Sequence, residues 1–247
     1  MKRLHVHSLT FNTLDMVSKS LERFDKLTHK YPVATKLLVD QHWPLVAHPL
    51  EHSKALQDLA RFHGWTYVKP FRNRGVGGSW DWVVRELDLG DNDVIWGVDP
   101  DEVPQTTDYL DAAMRVFNNA PECYTVQMNQ DHGEYLTYPK TEISFGGEPV
   151  WKFQQPIAWS CGGFSVAWLK RLGGFLQLHP LYGHVETAMC AAAKPFGGQF
   201  YILKNHFNKH IEIQDPRYKA WKLACAMHQT NDTFADWLKG NQSSKQG

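Results

Sequence analysis

Short apolar runs and amphipathic stretches take turns along the first part of this chain, and that alternation restricts the open folds more than any other feature. LHVHSL (residues 4–9) alternates loosely, as a strand does. Leu14, Val17, Leu21, Phe24 and Thr28 then recur at helical spacing, behind Asn12 or Thr13 as a cap. KLLVD (36–40) is a second apolar run; the next helix opens at Pro49, carries Ala55, Leu56, Leu59 and Phe62, and stops at Gly64. A strand at 65–69, a helix at 79–87 and a strand at 93–98 complete the series. Strands separated by helices pair in parallel, so the pattern predicts a doubly wound α/β sheet.

The second half is less regular. It offers a helix at 107–118, strands at 123–128 and 150–154, the glycine-rich WSCGGFSVAWLKRLGGF, a helix at 184–194, a strand at 199–204 and a helix at 216–227. No repeat and no Pro/Gly/Ser-rich linker divides the chain, which predicts one domain over 1–240 and a mobile polar tail at 241–247.

With 26 basic and 26 acidic residues the net charge is +0, which removes the simplest argument for a dedicated nucleic-acid or membrane-surface protein. Cys123, Cys161, Cys190 and Cys225 form no CxxC pair, so neither a zinc cluster nor a disulfide framework is indicated. MKRLHVHSLT has no apolar h-region and no run is long enough to span a bilayer; the expectation is a cytoplasmic protein without a transmembrane segment.

In an open α/β sheet the ligand lies beyond the carboxyl ends of the strands. The first strand ends in Thr10-Phe11-Asn12, the second in Asp40, the third leads to Asn73-Arg74-Gly75, and the fourth runs from Val94 to Val98 straight into Asp99-Pro100-Asp101-Glu102. An acidic turn could simply end a strand. Two aspartates separated by one residue also suit Mg²⁺ or Mn²⁺, held by one or two carboxylates together with substrate phosphates. NRGVGGSW likewise reads as a loop with Ser79 capping a helix, or as an anion site with Arg72 or Arg74; it is neither GxGxxG nor a P-loop.

Taken in order, these strand ends resemble the GT-A glycosyltransferases, most closely the family 2 type. The resemblance rests on Thr10 and Asn12, Asp40, Asn73 with Gly75, and the D-x-D of Asp99 and Asp101. It extends to GGFSVAWLKRLGGF, similar to the acceptor-facing segment, and to GHVETAM, where the family has an acidic pair on a helix. Here that pair is Val185-Glu186, and Asp81 replaces a later asparagine. The resemblance implies a GT-A fold with a mixed, mainly parallel sheet, a nucleotide-sugar half over about 1–104 and an acceptor half over about 105–240. It implies transfer of a sugar from a nucleoside diphosphate, UDP favoured, to a hydroxyl, with inversion.

By the same resemblance Thr10, Asn12, Asp40, Asn73, Arg74, Gly75 and Asp99 would bind the donor, and Asp99 and Asp101 would hold Mn²⁺ or Mg²⁺ on the diphosphate. Glu186 would deprotonate the acceptor. Trp159, Gly162, Gly163 and Trp168 would meet the acceptor, and His206 or His210 would add a metal ligand. The acceptor class stays open among a glycan, a lipid-linked glycan, a small molecule and a hydroxylated DNA base. Two other functions fit parts of the pattern. A nucleotidyltransferase shares the acidic site, although LTFNTLDM lacks the glycine-rich basic loop such an enzyme carries after its first strand. A non-catalytic nucleotide- or sugar-binding module would keep the scaffold without the base.

Overall fold

The computed structural model describes residues 1–11, 13–28, 31–41, 45, 48–130, 138–154, 161–176, 185–211, 213 and 215–243. Its first half follows the expected alternation: β1 (Arg3–Thr10), α1 (Leu14–Thr28), β2 (Thr35–Asp40), α2 (Pro49–Phe62), β3 (Thr66–Val68), α3 (Gly75–Glu86) and β4 (Asp93–Gly97). Then come β5 (Glu102–Pro104), α4 (Tyr109–Asn119), β6 (Cys123–Gln130), β7 (Lys140–Phe145), β8 (Glu148–Phe153), β9 (Gly162–Ser165) and α5 (Val166–Leu172). The chain continues with α6 (Val185–Ala193), a 3₁₀ turn (Lys194–Phe196), β10 (Gln199–His210), α7 (Pro216–Ala226) and α8 (Phe234–Ser243). Residues 244–247 of the polar tail lie outside the described residues.

One sheet of ten strands runs in the order β3-β2-β1-β4-β9-β6-β10-β8-β7, with β5 pairing β10 off that path. β3, β2, β1 and β4 are mutually parallel, as are β6 and β10; β9 lies antiparallel between β4 and β6 and joins the two halves. The sheet is therefore mixed and runs mainly one way. Successive residues of β2 and β4 pack on opposite faces, as strand geometry requires. Leu38, Val94, Trp96 and Val98 join Val17, Leu21, Phe24 and the α4 side chains in one core, while Leu37, Val39 and Ile95 join Trp80, Phe164, Phe175 and Met189 in the other. Both faces of β4 are thus covered, which is why it reads as a continuous apolar run.

β7, α5 and α8 are elements the sequence did not announce, and α8 takes in residues 241–243 of the expected tail. Other departures have local causes. The helix expected at 79–87 begins a turn earlier, at Gly75, whose φ of 70° is open to glycine. Ser79 is no cap: its hydroxyl donates back to Gly75 O at 2.6 Å. β9 and β5 are too short to leave a periodic signature. β10 runs well past residue 204 because a shift of register between Leu203 and Phe207 lets the strand continue against β6 and then β5. Among the described residues no helix is long and apolar enough to cross a membrane.

Candidate functional site

Two connections at the carboxyl end of β4 fix the acidic loop. Glu102 N–H donates to Asp99 O at 3.0 Å, closing the turn through Pro100, and β5 then pairs antiparallel with the end of β10, placing Glu102 opposite His210. Ile211 N–H donates to Asp101 O at 2.6 Å, so the loop backbone is tied to β10 on both sides of Asp101. His206, Asn208 and His210 occupy alternate positions of β10 and share one face.

His210 reaches the loop and His206 does not. His210 Nε2 lies 3.5 Å from Asp101 Oδ2, both half-buried. His206 instead stands 3.5 Å from Glu148 Oε1 and 3.3 Å from the Thr106 hydroxyl, in a separate group in which Arg115 also binds Glu148. Between them Asn208, fully buried, donates its amide to the Glu102 carboxylate.

The loop gathers negative charge in a confined place. Burial, reinforced by Asp101, pushes the Asp99 carboxyl up to about 7, with His210 and Lys222 pulling it back. Burial and Asp101 push Glu102 up to about 8. The contact with Asp101 holds His210 above the usual imidazole range, against the opposite pull of burial. Among the described residues no group of three His, Cys, Asp or Glu side chains is arranged to hold a metal unaided. That donor set fits a hard divalent ion that takes one or two protein ligands and completes its shell with phosphate oxygens and water. The repulsion among these carboxylates, which His210 and Lys222 offset only in part, is what such a cation would neutralise.

Beside this loop stand the ends of β1 and β2. Thr10 is buried and its hydroxyl donates to Val39 O at 3.1 Å. Asp40 is 1% exposed, and its Oδ2 accepts from the Ser53 hydroxyl at 2.7 Å and the Tyr67 hydroxyl at 2.8 Å, with Lys69 Nζ at 3.3 Å. Asn73 Oδ1 accepts from Gly75 N–H at 2.8 Å, an Asx turn that opens α3, while the Arg74 guanidinium lies 5.8 Å over the Trp82 ring. Asn12 lies outside the described residues.

The C-terminal helices close over the same end. Phe11, directly after β1, packs against Tyr218, Trp221 and Phe234 at ring separations of 5.9, 6.3 and 6.3 Å. This third small core seats α7 so that Lys222, 5.5 Å over the Tyr218 ring, feels both Asp99 and His210.

On the acceptor side the placements differ. Gly162 and Gly163 sit inside the sheet: a Cβ on Gly162 would meet Val126 O at 2.7 Å, and one on Gly163 would meet the Trp96 ring at 2.6 Å. Trp168 is 6% exposed, its indole N–H donating to Pro121 O at 3.0 Å. Glu186 is half-buried in the first turn of α6. Trp159 falls outside the described residues. Asn208 was not among the expected site residues, and Glu102 appeared only as part of the acidic turn without a role; the alternation of His206, Asn208 and His210 was the available signal.

No protein-family model matches the chain, and no curated protein matches it in sequence. Solved structures that share its architecture include two glycosyltransferase complexes. GalNAc-T7 with UDP, GalNAc and Mn²⁺ superposes with a TM-score of 0.68 at 10% identity, over 86% of this chain and 44% of that one. The mannosyltransferase PcManGT from Pyrobaculum calidifontis, in complex with GDP-Man and Mn²⁺, gives 0.64 at 18% identity, over 89% of this chain and 59% of its own. This chain therefore spans less than two thirds of the length of either. The fold is GT-A, as the strand ends implied.

Proposed function

We propose that this chain is a metal-dependent glycosyltransferase that moves a sugar from a nucleoside diphosphate to a hydroxyl acceptor, with inversion. The observation that carries this reading is the tether of the acidic loop. Asp99 and Asp101, at the carboxyl end of β4 beside β1, are held against His210 by the β5–β10 ladder. A turn that merely ended a strand would need neither the ladder nor a buried asparagine behind it.

In this reading Asp99 and Asp101 would hold Mn²⁺ or Mg²⁺ together with the donor's phosphate oxygens, with His210 steadying Asp101 beside them. When bound, the ion supplies countercharge to the departing diphosphate. Lys222 stands where its ammonium would add to that countercharge, so the charge developing on the leaving group meets groups already in place. Thr10, Asn73, Arg74 and Gly75 line the wall toward the nucleoside. Glu186 takes the proton of the acceptor hydroxyl as the oxygen attacks the anomeric carbon from the side opposite the diphosphate. The two structural neighbours, bound to UDP or GDP-Man with Mn²⁺, support the donor class, with UDP favoured. The acceptor is a glycan, a lipid-linked glycan, a small hydroxyl compound or a hydroxylated DNA base, met in the cytoplasm.

Calorimetric titration of UDP, GDP, CMP and their sugars, with Mn²⁺ and then with EDTA, tests this on the wild type and on Asp101→Ala. Metal-dependent binding of one nucleotide, lost in the variant, is the expected result. Binding indifferent to both metal and Asp101, or no binding, overturns the reading.

A further inference from the structure

Asp40, the carboxylate after β2 that the family resemblance assigns to the donor, is already engaged within the protein. Asp40 turns toward α2 and β3, where Ser53, Tyr67 and Lys69 surround its Oδ2. The next residue, Gln41, takes the other side of the chain, as extended backbone requires. Its backbone N–H donates to Thr10 O at 3.1 Å, placing it beside the end of β1, and its side chain is only 3% exposed. Gln41 Oε1 accepts the Arg74 N–H at 3.3 Å. That bond fixes which end of the amide is which.

The amide nitrogen, Nε2, is left buried with no hydrogen-bond partner among the described residues. A buried NH₂ without an acceptor is costly, and native chains keep one where a ligand or a water completes it. The nearby side-chain acceptors Asn73 Oδ1 and Asp40 Oδ2 already face donors of the protein, the first Gly75 and the second Ser53, Tyr67 and Lys69. Arg74 Nε is a second buried donor without a partner among the described residues. Two unpartnered donors on one wall favour a ligand edge that accepts.

We propose that Gln41 reads the nucleobase of the donor through its side-chain Nε2–H. It selects a base that carries a carbonyl, uracil at O4 or guanine at O6, over cytosine or adenine, which put an amino group at that position. This inference rests on the glycosyltransferase reading and narrows its donor class. An amino group facing Nε2–H sets donor against donor and leaves both unsatisfied, a difference that translates into about tenfold or more in affinity.

The test is the Mn²⁺-dependent affinity for UDP, GDP, CDP and ADP, with pyrophosphate as a base-free control, on the wild type, Gln41→Met and Gln41→Glu. The wild type is expected to prefer UDP over CDP, or GDP over ADP, by about tenfold or more. The UDP and GDP arms identify which base is taken. Gln41→Met keeps the length without the donor and should bring the ratio near unity while pyrophosphate binds as before. Gln41→Glu, which still accepts from Arg74 but now offers an acceptor, should turn the preference toward CDP or ADP, a gain that misfolding cannot imitate. Equal wild-type affinities, or a ratio that survives in Gln41→Met, overturn the inference while metal-dependent binding leaves the broader reading standing. Absence of all metal-dependent nucleotide and pyrophosphate binding removes both.

Discussion

Asn208 on β10 gives its side-chain amide to the carboxylate of Glu102 on β5, and the two are buried to 0% and 6% exposure at the point where the acidic loop turns back into the sheet. Removing the donor leaves a buried carboxyl without its partner. Asn208→Leu should therefore destabilise the protein by about 1–3 kcal/mol in urea unfolding. It should also weaken Mn²⁺-dependent nucleotide binding, since β5 is what holds Asp101 to β10.

His206 and His210 share a strand face yet should behave differently. His210→Gln removes the imidazole 3.5 Å from Asp101 and should weaken nucleotide binding in Mn²⁺ while leaving the urea midpoint nearly unchanged. His206→Gln disturbs the Glu148 group instead and should lower the midpoint with metal-dependent binding preserved. Calorimetry and urea unfolding on the same two variants separate these outcomes.

His7, in the middle of β1, is fully buried against the Trp80 ring, with both ring nitrogens unpartnered. Burial pushes its pKa down to about 3. The folded state thus keeps the ring neutral where the unfolded chain protonates it, so this group's stability is present above the unfolded pKa and is lost as pH falls toward 3. The loss is about 1.4 kcal/mol per pH unit across that window. His7→Phe should flatten the dependence, most visibly as a smaller drop in urea midpoint between pH 7 and pH 5. A variant that tracks the wild type at both pH values would show that His7 is not the group responsible.

Gly163 should not tolerate even one methyl. Its Cβ would stand 3.0 Å from Ile95 O and 2.6 Å from the Trp96 ring, and the carbonyl belongs to a ladder that cannot yield. Gly163→Ala is expected to lose about 1–3 kcal/mol by thermal or urea unfolding.

The parallel half of the sheet was legible because each of its strands is bounded by a helix whose apolar spacing is unambiguous, as at Val17, Leu21 and Phe24. The antiparallel part was not. β5 and β9 span 3 and 4 residues, and what makes them strands is the partner on either side rather than any period of their own. The glycines of β9, which the resemblance assigned to the acceptor side, stand where backbone and ring approach closely within the sheet, a use of glycine that a linear sequence does not reveal. The acidic pair announced itself by arriving directly after an apolar run. Asp40 was visible, but its internal partners were not, because Ser53, Tyr67 and Lys69 converge on it only once α2 and β3 have folded back.

β5 finds its only strand partner among the described residues in β10, which lies near the other end of the sequence. Asp99 and Asp101 are therefore translated early and seated late. A fragment ending at Pro104 would carry the aspartates just ahead of a three-residue strand with an empty edge, and reconstitution from two separately expressed pieces would have to rebuild that ladder. Closing so distant a pairing is slow for any chain. The last strand in the sequence is the one that completes the acidic loop, so a nascent chain carries the aspartates long before their partner strand is made.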